Sequence, residues 1–205
     1  MRRVVCLLGS ARPRGNSAVM AGAVCRGAAE AGAQVETFAL NALDFRGCQG
    51  CMACKKKAEA CVLDDGLTPV LRAVAGCDAL VLATPVYFGE VSSQLKAFID
   101  RTYSFLTPDY ALNRAHRTRL TPGKTLCFVI AQGHPREDLF ADIFPRYAYF
   151  FNWLGFTENR LLRACRIYHP GDAEARAGLL EQAAALGRDV ALGQGEPDWL
   201  PPVRS

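Results

Sequence analysis

The sequence predicts an α/β fold in which helices cover both faces of a parallel sheet. Apolar runs of strand length alternate with helical patterns along the 205 residues. Half of the residues are hydrophobic and 21% are charged, which is typical of a globular protein and not of a disordered one. We therefore expect a single domain over residues 1–192, followed by a Pro-rich tail over 193–205.

The first half of the chain predicts three strands, two helices and one long loop. The long loop, residues 41–66, carries four cysteines, and a loop of this length in a compact domain is usually functional. In the second helix Pro69 fits the first turn, where its missing N–H costs nothing. In chain order the elements are strand Val4–Leu8, the Ala/Gly-rich helix Asn16–Ala31, strand Val35–Leu40, helix Leu67–Ala75 and strand Ala79–Ala83.

The second half predicts three helices and two strands. An irregular basic connection, residues 107–123, separates the first helix from the next strand. Pro145 is expected to kink the second helix or to restart it. In chain order the elements are helix Ser92–Phe105, strand Thr125–Ala131, helix Asp138–Leu154, strand Glu158–Cys165 and helix Ala173–Leu192.

Five strands that alternate with helices predict the flavodoxin-like three-layer sandwich, with strand order 2-1-3-4-5. Ligands of such sheets bind beyond the carboxyl ends of the strands, where the strand order reverses. We therefore expect a site in the loops that follow Leu8, Ala83 and Ala131. The cysteine loop follows the second strand and opens at the same edge.

The first of these loops, Gly9–Ser17, reads GSARPRGNS and is typical of phosphate binding. Backbone N–H groups and the helix dipole favour an anion at the start of a helix. The spacing is not that of a Walker loop, and an ordinary turn capped by Asn16 or Ser17 is the alternative. The candidate phosphate ligands are Ser10, Arg12, Asn16 and Ser17, with Arg14 a weaker one.

The second loop begins the stretch TPVYFGEVSSQLKAFIDR, Thr84–Arg101. Pro85 ends the third strand, and Gly89 allows another group to approach the backbone closely. Tyr87 and Phe88 are an aromatic pair at a strand terminus, where they can flank a flat ring. The alternative is that both rings belong to the core.

Four cysteines lie within fourteen residues, with the spacing C-x2-C-x2-C-x6-C. Clustered thiolates of this kind are the usual ligands of a [4Fe-4S] cluster. A zinc site, a pair of disulfides and four reduced thiols are the alternatives. The candidate ligands are Cys48, Cys51, Cys54 and Cys61; the other five cysteines, which we expect to be small buried hydrophobes, are Cys6, Cys25, Cys77, Cys127 and Cys165.

Taken together, the loops resemble the NAD(P)H-dependent FMN reductase superfamily. The resemblance rests on Gly-Ser-x-Arg ending in Gly-Asn-Ser, and on Thr-Pro-x-Tyr-x-Gly followed by Ser-x-x-Leu-Lys-x-Phe-x-Asp-Arg. The Cys-x-Gly-Cys-x-x-Cys loop, followed by Cys61 and by Asp64–Asp65, resembles the iron-sulfur flavoprotein branch. The whole resemblance covers roughly residues 3–165.

The resemblance implies bound FMN, a [4Fe-4S] cluster on the four cysteines, and electron transfer from NAD(P)H or a ferredoxin-like donor to an acceptor. The FMN phosphate would lie against Ser10, Arg12, Asn16 and Ser17. A cluster-free NAD(P)H-dependent FMN or quinone reductase and a non-catalytic flavin- or metal-binding regulatory module are the alternatives. The residues bordering the isoalloxazine ring would be Pro85, Val86, Tyr87, Phe88 and Gly89, with Gln132 and Gly133 closing the other side.

Charge and hydropathy exclude several classes of partner. The net charge of +4 is too weak to argue for nucleic acid, and no apolar run approaches the length of a membrane span. The start of the chain lacks a secretory apolar region, so we expect a cytoplasmic protein. Basic segments at Lys55–Lys57 and Arg114–Arg119 are expected to be solvated, although they could attract an acidic partner or dinucleotide phosphates.

The predicted helix Asp138–Leu154 is apolar on two sides. One stripe suits the core, and a second surface carries Tyr149, Phe150 and Trp153. A monomer would leave that second surface exposed to water, so we expect a homodimer or a homotetramer. The members of the first stripe are Phe140, Ile143, Phe144, Tyr147, Phe151 and Leu154.

Overall fold

A computed structural model describes residues 1–198 and contains the predicted sheet. Five strands lie in the order 2-1-3-4-5, and every neighbouring pair is parallel. This confirms the flavodoxin-like fold class and places the carboxyl ends of all strands at one edge. The strands are β1 (Arg3–Leu8), β2 (Gln34–Ala39), β3 (Ala79–Pro85), β4 (Lys124–Ala131) and β5 (Phe156–Ala164).

Helices cover both faces of the sheet and enclose two apolar cores. One core lies under the helices that begin at Asn16, Asp172 and Leu179, and the other under those that begin at Leu67, Ser93 and Ile143. Within residues 1–198, no helix combines the length and the apolarity needed to cross a bilayer. The helices are α1 (Asn16–Glu30), α2 (Leu67–Ala75), α3 (Ser93–Arg101), α4 (Ile143–Trp153), α5 (Asp172–Ala175) and α6 (Leu179–Leu192).

Three helices differ from the sequence prediction by more than one residue at a boundary. α4 begins at Ile143 instead of Asp138, because Phe140 is left-handed (φ 62°), and Pro145 therefore lies in the first turn without a kink. The closing helix is two helices, since Gly178 adopts a left-handed φ of 74° between them. α3 ends at Arg101, and the predicted remainder, Thr102–Phe105, is a 3-10 turn.

α1 and α6 pack with their backbones in contact. A Cβ atom at Gly27 would lie 1.9 Å from the carbonyl oxygen of Ala184, and one at Gly187 would lie 1.9 Å from that of Val24. Only glycine fits at these two crossing points. This contact fixes the position of α1, whose N-terminus faces the carboxyl edge of the sheet.

The cysteine loop is held to α3 by Arg101, whose side chain is fully buried. Its guanidinium donates to the carbonyls of Arg46 (2.8 Å) and Leu63 (3.1 Å) and to the carboxylate of Asp65 (2.8 Å). Asp65 in turn accepts from the backbone N–H groups of Arg46 and Leu67. Both ends of the long loop therefore converge on one buried ion pair.

The pKa of Asp65 lies below its ordinary value of 3.8. Burial alone would raise this pKa, but the Arg101 guanidinium and the backbone donors of Arg46 and Leu67 outweigh that effect. Because the folded pKa is depressed, ionised Asp65 stabilises the fold above pH 3.8, and this contribution is lost as the pH falls through the folded pKa.

We expect Asp65→Asn to lower the free energy of unfolding by about 3 kcal/mol at pH 7, since it leaves the buried Arg101 charge without its counter-ion. The loss should be smaller at pH 3, which lies below the ordinary value of 3.8, because the carboxyl is then largely protonated in the unfolded chain and the contribution of ionised Asp65 declines. Urea unfolding at both pH values measures the difference, with Asp64→Asn on the exposed neighbouring residue as the matched control. An equal loss at both pH values would contradict this account.

Candidate functional site

One cavity of about 370 Å³ opens at the carboxyl edge of the sheet. It is called the cofactor cavity below, because the predicted cofactor residues line it. It lies between the loops that follow β1, β3 and β4, where the strand order reverses. The structure brings all eleven predicted cofactor residues into its lining: Ser10, Arg12, Asn16, Ser17, Pro85, Val86, Tyr87, Phe88, Gly89, Gln132 and Gly133.

The first loop presents uncapped backbone donors to this cavity. Gly15 is the N-cap of α1 and no side chain caps the helix, so the predicted alternative of a turn capped by Asn16 or Ser17 is wrong. The loop is held by Ser10, whose hydroxyl accepts from the N–H of Arg12 at 3.0 Å. The hydroxyl of Ser17 is buried and has no hydrogen-bond partner among residues 1–198. Free N–H groups and a buried free hydroxyl make this helix start suitable for an anion.

The side chain of Asn16 is hydrogen-bonded within the fold, although Asn16 also lines the cavity. Its side-chain amide donates to the carbonyl of His169 (3.0 Å) and accepts from the N–H of Ala173 (3.1 Å). The amide therefore ties the start of α1 to the segment after β5. The backbone N–H of Asn16, in the first turn of α1, is free to donate a hydrogen bond to an anion.

The second loop is a tight hairpin turn that exposes its aromatic residues. Tyr87 and Glu90 exchange backbone hydrogen bonds, and Phe88 (φ 51°) and Gly89 (φ 82°) are both left-handed between them. Phe88 is fully exposed and Tyr87 is 44% exposed. The alternative that these rings belong to the core is therefore wrong. A non-glycine residue with a left-handed φ is strained, and such strain is frequent at ligand sites.

The third loop is organised by Gln132, which is completely buried. Its amide nitrogen donates to the carbonyls of His134 (2.9 Å) and Arg136 (2.7 Å), and its amide oxygen accepts from Arg163. Gly133 lies against the ring of Tyr168, and a Cβ atom at Gly133 would stand 2.8 Å from the Cδ2 atom of that ring. His134 is exposed and also lines the cavity.

The sequence prediction missed the part of the lining that comes from the loop after β5. Ile167 and Tyr168 contribute to the cavity from this loop, and Phe140 does so from the segment before α4. The signal was present, because the carboxyl end of the fifth strand lies at the same edge as the other four. Gly15 and Ala131 complete the set.

The four loop cysteines border a common, smaller cavity of about 60 Å³, together with Arg101 and Tyr103. All four cysteines are free thiols in the structure, so the alternative of two disulfides is wrong. Left-handed residues at Gly50 and Met52 turn the chain between them. Within residues 1–198, no three or more His, Cys, Asp or Glu side chains are gathered as metal ligands. Four thiols that share a cavity are the donor set a cluster needs, but in this structure they are not gathered at one point.

Of the other five cysteines, three are buried as expected, at Cys6, Cys77 and Cys127. Burial raises the pKa of Cys77 to about 11 and that of Cys127 to about 12, so these thiols stay protonated. Cys25 and Cys165 are partly exposed.

The basic residues around the cysteine loop are structural anchors. The Lys55 ammonium donates to the carbonyls of Tyr103 (2.6 Å) and Leu106 (2.7 Å), and burial lowers its pKa. Arg119 donates to the carbonyls of Ser104, Leu106 and Cys54. The prediction that these two side chains are solvated is therefore wrong. They fasten the cysteine loop to the connection between α3 and β4.

α4 carries the predicted second aromatic surface. The rings of Tyr149, Phe150 and Trp153 lie 5.4–5.5 Å apart, and Phe150 is half exposed. Phe150 and Trp153 line an open cavity of about 550 Å³ together with Tyr103 and Tyr110. Five members of the first stripe face the core as expected, at Ile143, Phe144, Tyr147, Phe151 and Leu154. The expectation is wrong for Phe140, which precedes α4 and lines the cavity at the carboxyl edge.

Comparison with known proteins agrees with this geometry. An iron-sulfur flavoprotein of Methanocaldococcus jannaschii is 34% identical over 100 residues, 49% of this chain and 51% of that protein. One of Methanosarcina thermophila is 28% identical over 121 residues, 59% of this chain and 63% of that protein. The chain thus spans about half the length of the curated relatives it matches.

The solved structures show the same fold. A NAD(P)H:quinone oxidoreductase from Methanothermobacter marburgensis superposes with a TM-score of 0.70 at 20% identity, over 92% of this chain and 96% of the other. The family model described as NADPH-dependent FMN reductase matches residues 2–141, which include the first two loops of the cavity and the cysteine loop. The chain therefore belongs to the NADPH-dependent FMN reductase family.

Proposed function

We propose that this protein is an FMN-dependent oxidoreductase that passes electrons from NAD(P)H or a ferredoxin-like donor to an acceptor. The observation that carries the proposal is the convergence of three loops on one cavity with uncapped helix N–H groups at one end and an exposed aromatic turn at the other. An anionic group with a flat ring attached matches this division. Membership of the family supports FMN as that molecule.

In this proposal the first loop binds the phosphate and the second loop binds the ring. Arg12 lines the cavity and supplies positive charge, while Ser17 and the N–H groups of the first turn of α1 donate hydrogen bonds. Tyr87 and Phe88 border the ring, and the backbone of the third loop closes the other side, held by Gln132. Bound FMN supplies hydride acceptance and single-electron release, so the protein's task is to bind, orient and shield it.

We further propose that Cys48, Cys51, Cys54 and Cys61 hold a [4Fe-4S] cluster, which would accept and release single electrons. The common cavity of the four free thiols supports this assignment, and so does the similarity to proteins named iron-sulfur flavoproteins. Arg101 and Arg119 would position the loop, through its carbonyls at Arg46, Leu63 and Cys54.

A cluster-free FMN reductase is the second candidate, and it is favoured by one observation. The four thiols are not gathered as metal ligands within the described part of the chain. The visible spectrum of anaerobically purified protein distinguishes the two, because a cluster adds a broad absorption that dithionite bleaches. Steady electron transfer from NADH, NADPH or a reduced ferredoxin to an added acceptor tests the oxidoreductase assignment itself, and its absence with all three donors would contradict that assignment.

We expect Arg12→Ala to weaken FMN binding by about ten- to a hundredfold, since a charge-assisted contact is worth roughly 1.5–3 kcal/mol. Arg14→Ala is the matched control, because Arg14 is exposed on the same loop but does not line the cavity. Fluorescence titration of the apoprotein with FMN measures both dissociation constants. Equal constants for the two variants would remove Arg12 from the phosphate site.

The variant Ser17→Ala distinguishes a role of Ser17 in FMN binding from a role in the stability of the apoprotein. The Ser17 hydroxyl is buried without a partner, so its removal should leave the stability of the apoprotein unchanged or raise it. FMN affinity should nevertheless fall by about tenfold through the loss of one donor to a charged group. Thermal unfolding of the apoprotein with and without FMN measures both quantities. A destabilised apoprotein with normal FMN affinity would refute the assignment.

Replacing any one of the four loop cysteines by serine should deplete iron and acid-labile sulfide while about one FMN per chain remains. The cofactor cavity does not include these residues, so flavin binding is independent of them. Cys77→Ser is the control, because Cys77 is buried in the core and should leave both groups in place. Wild-type protein that holds FMN but no iron after anaerobic reconstitution would establish the cluster-free candidate instead.

We also propose that the aromatic surface of α4 joins two copies of the chain. Phe150→Glu should raise the dimer dissociation constant at least tenfold, since a desolvated charge costs about 1–3 kcal/mol or more. Leu192→Glu, a similarly exposed position on the opposite face of the sheet, should not change it. Sedimentation equilibrium at micromolar concentration decides the matter, and a monomeric wild type would contradict the proposal.

A further inference from the structure

A second polar cavity, of about 440 Å³, opens beside the third loop and the carboxyl end of β5. Three of its lining residues are arginines and one is a carboxylate, so the excess of formal charge is positive. The family match ends at residue 141, before the arginines of this cavity. The lining consists of Glu137, Arg163, Cys165, Arg166 and Arg176.

Two of the arginines are fixed in place by the fold. Arg163 donates to the carbonyls of Glu137 (2.8 Å) and Leu139 and to the amide oxygen of Gln132. Its Nε is buried and has no partner within residues 1–198. Arg176 donates to the carbonyl of Cys165 at 2.7 Å. Immobilised guanidinium groups lose little side-chain entropy when a ligand binds to them.

The third arginine, Arg166, is exposed and uncommitted. Its side chain makes no hydrogen bond or ion pair with another residue among residues 1–198. Its backbone is left-handed (φ 60°), which is uncommon for a residue other than glycine and is frequent at ligand clamps. Fixed arginines beside a free one favour an anion, and the planar guanidinium suits the oxygens of a phosphate.

The arginine cavity adjoins the cofactor cavity. Gln132 lines the cofactor cavity and accepts a hydrogen bond from Arg163, so one side chain contacts both. Ile167, the residue directly after Arg166, also lines the cofactor cavity, and its N–H donates to the carbonyl of Gln132. A ligand held here by a phosphate can therefore extend its other end toward the cofactor.

We propose that the cavity of Arg163, Arg166 and Arg176 binds a phosphate group of the reduced nicotinamide dinucleotide. This inference rests on the proposed function, since it assigns the place where the electron donor is anchored. A dinucleotide carries its phosphates at a distance from its nicotinamide ring, so anchoring at the arginines leaves that ring free to reach the cofactor cavity. Glu137 limits the net charge of the site and favours one phosphate group over a long polyanion.

The test uses the FMN-loaded protein and the variant Arg166→Ala. The KM for NADPH should rise about tenfold, the effect of one lost charge-assisted contact, while kcat changes less than twofold. Binding of 2′,5′-ADP, measured by calorimetry, should weaken by a similar factor, and the FMN content should not change. Arg166→Lys keeps the charge and should recover part of both losses.

Arg72→Ala, an exposed arginine on α2, is the matched control and should leave all these quantities unchanged. If Arg166→Ala and Arg72→Ala give the same KM and the same affinity for 2′,5′-ADP, the inference is overturned. Binding of inorganic pyrophosphate without binding of 2′,5′-ADP would overturn it in favour of a free-phosphate site. If the FMN-loaded wild type accepts electrons from neither NADPH, NADH nor a reduced ferredoxin, the proposed function fails. A wild type that accepts electrons from reduced ferredoxin alone, or that oxidises NADPH with no effect of Arg166→Ala, overturns only the anchoring site.

Discussion

Because all five strands run parallel, their carboxyl ends lie at one edge of the sheet, and the loops that follow them are forced together. The order 2-1-3-4-5 sends the chain in opposite directions from β1 and β3, and this leaves a crevice between the loops that follow them. The N-terminus of α1 enters the crevice with its N–H groups uncapped. The cofactor cavity is therefore a consequence of strand direction before any particular side chain is considered.

Much of this arrangement was predictable from the sequence, because buried parallel strands are short apolar runs and phosphate loops are Gly-rich. The strand order and the loops that form the cavity followed from that pattern. The side-chain partners did not. Asn16 pairs with backbone atoms of residues 169 and 173, more than 150 positions away, and no local pattern indicates such a contact.

The wrong predictions have a common physical cause. At each position the local sequence is compatible with two conformations or environments, and tertiary contacts decide between them. Residues 138–142 continue the apolar pattern of α4, yet left-handed Phe140 places its ring in the cofactor cavity instead. The sequence predicts solvated charges at Lys55 and Arg119, but both side chains donate hydrogen bonds to backbone carbonyls. The loop after β5 has no glycine-rich motif before Gly171, so its place at the carboxyl edge of the sheet was the one indication that Tyr168 could line the cavity.

The backbone contact of α1 with α6 has a consequence for the order in which the protein is made. Gly27 is synthesised early and Gly187 late, and the two helices touch through their main chains at these residues. Until α6 has left the ribosome, α1 has the sheet but lacks the helix that packs against its backbone, and the turn at its start is held less firmly. We therefore expect the nascent chain to acquire cofactor only after α6 has emerged. A contact between residues so far apart in the chain also slows the closing step of folding.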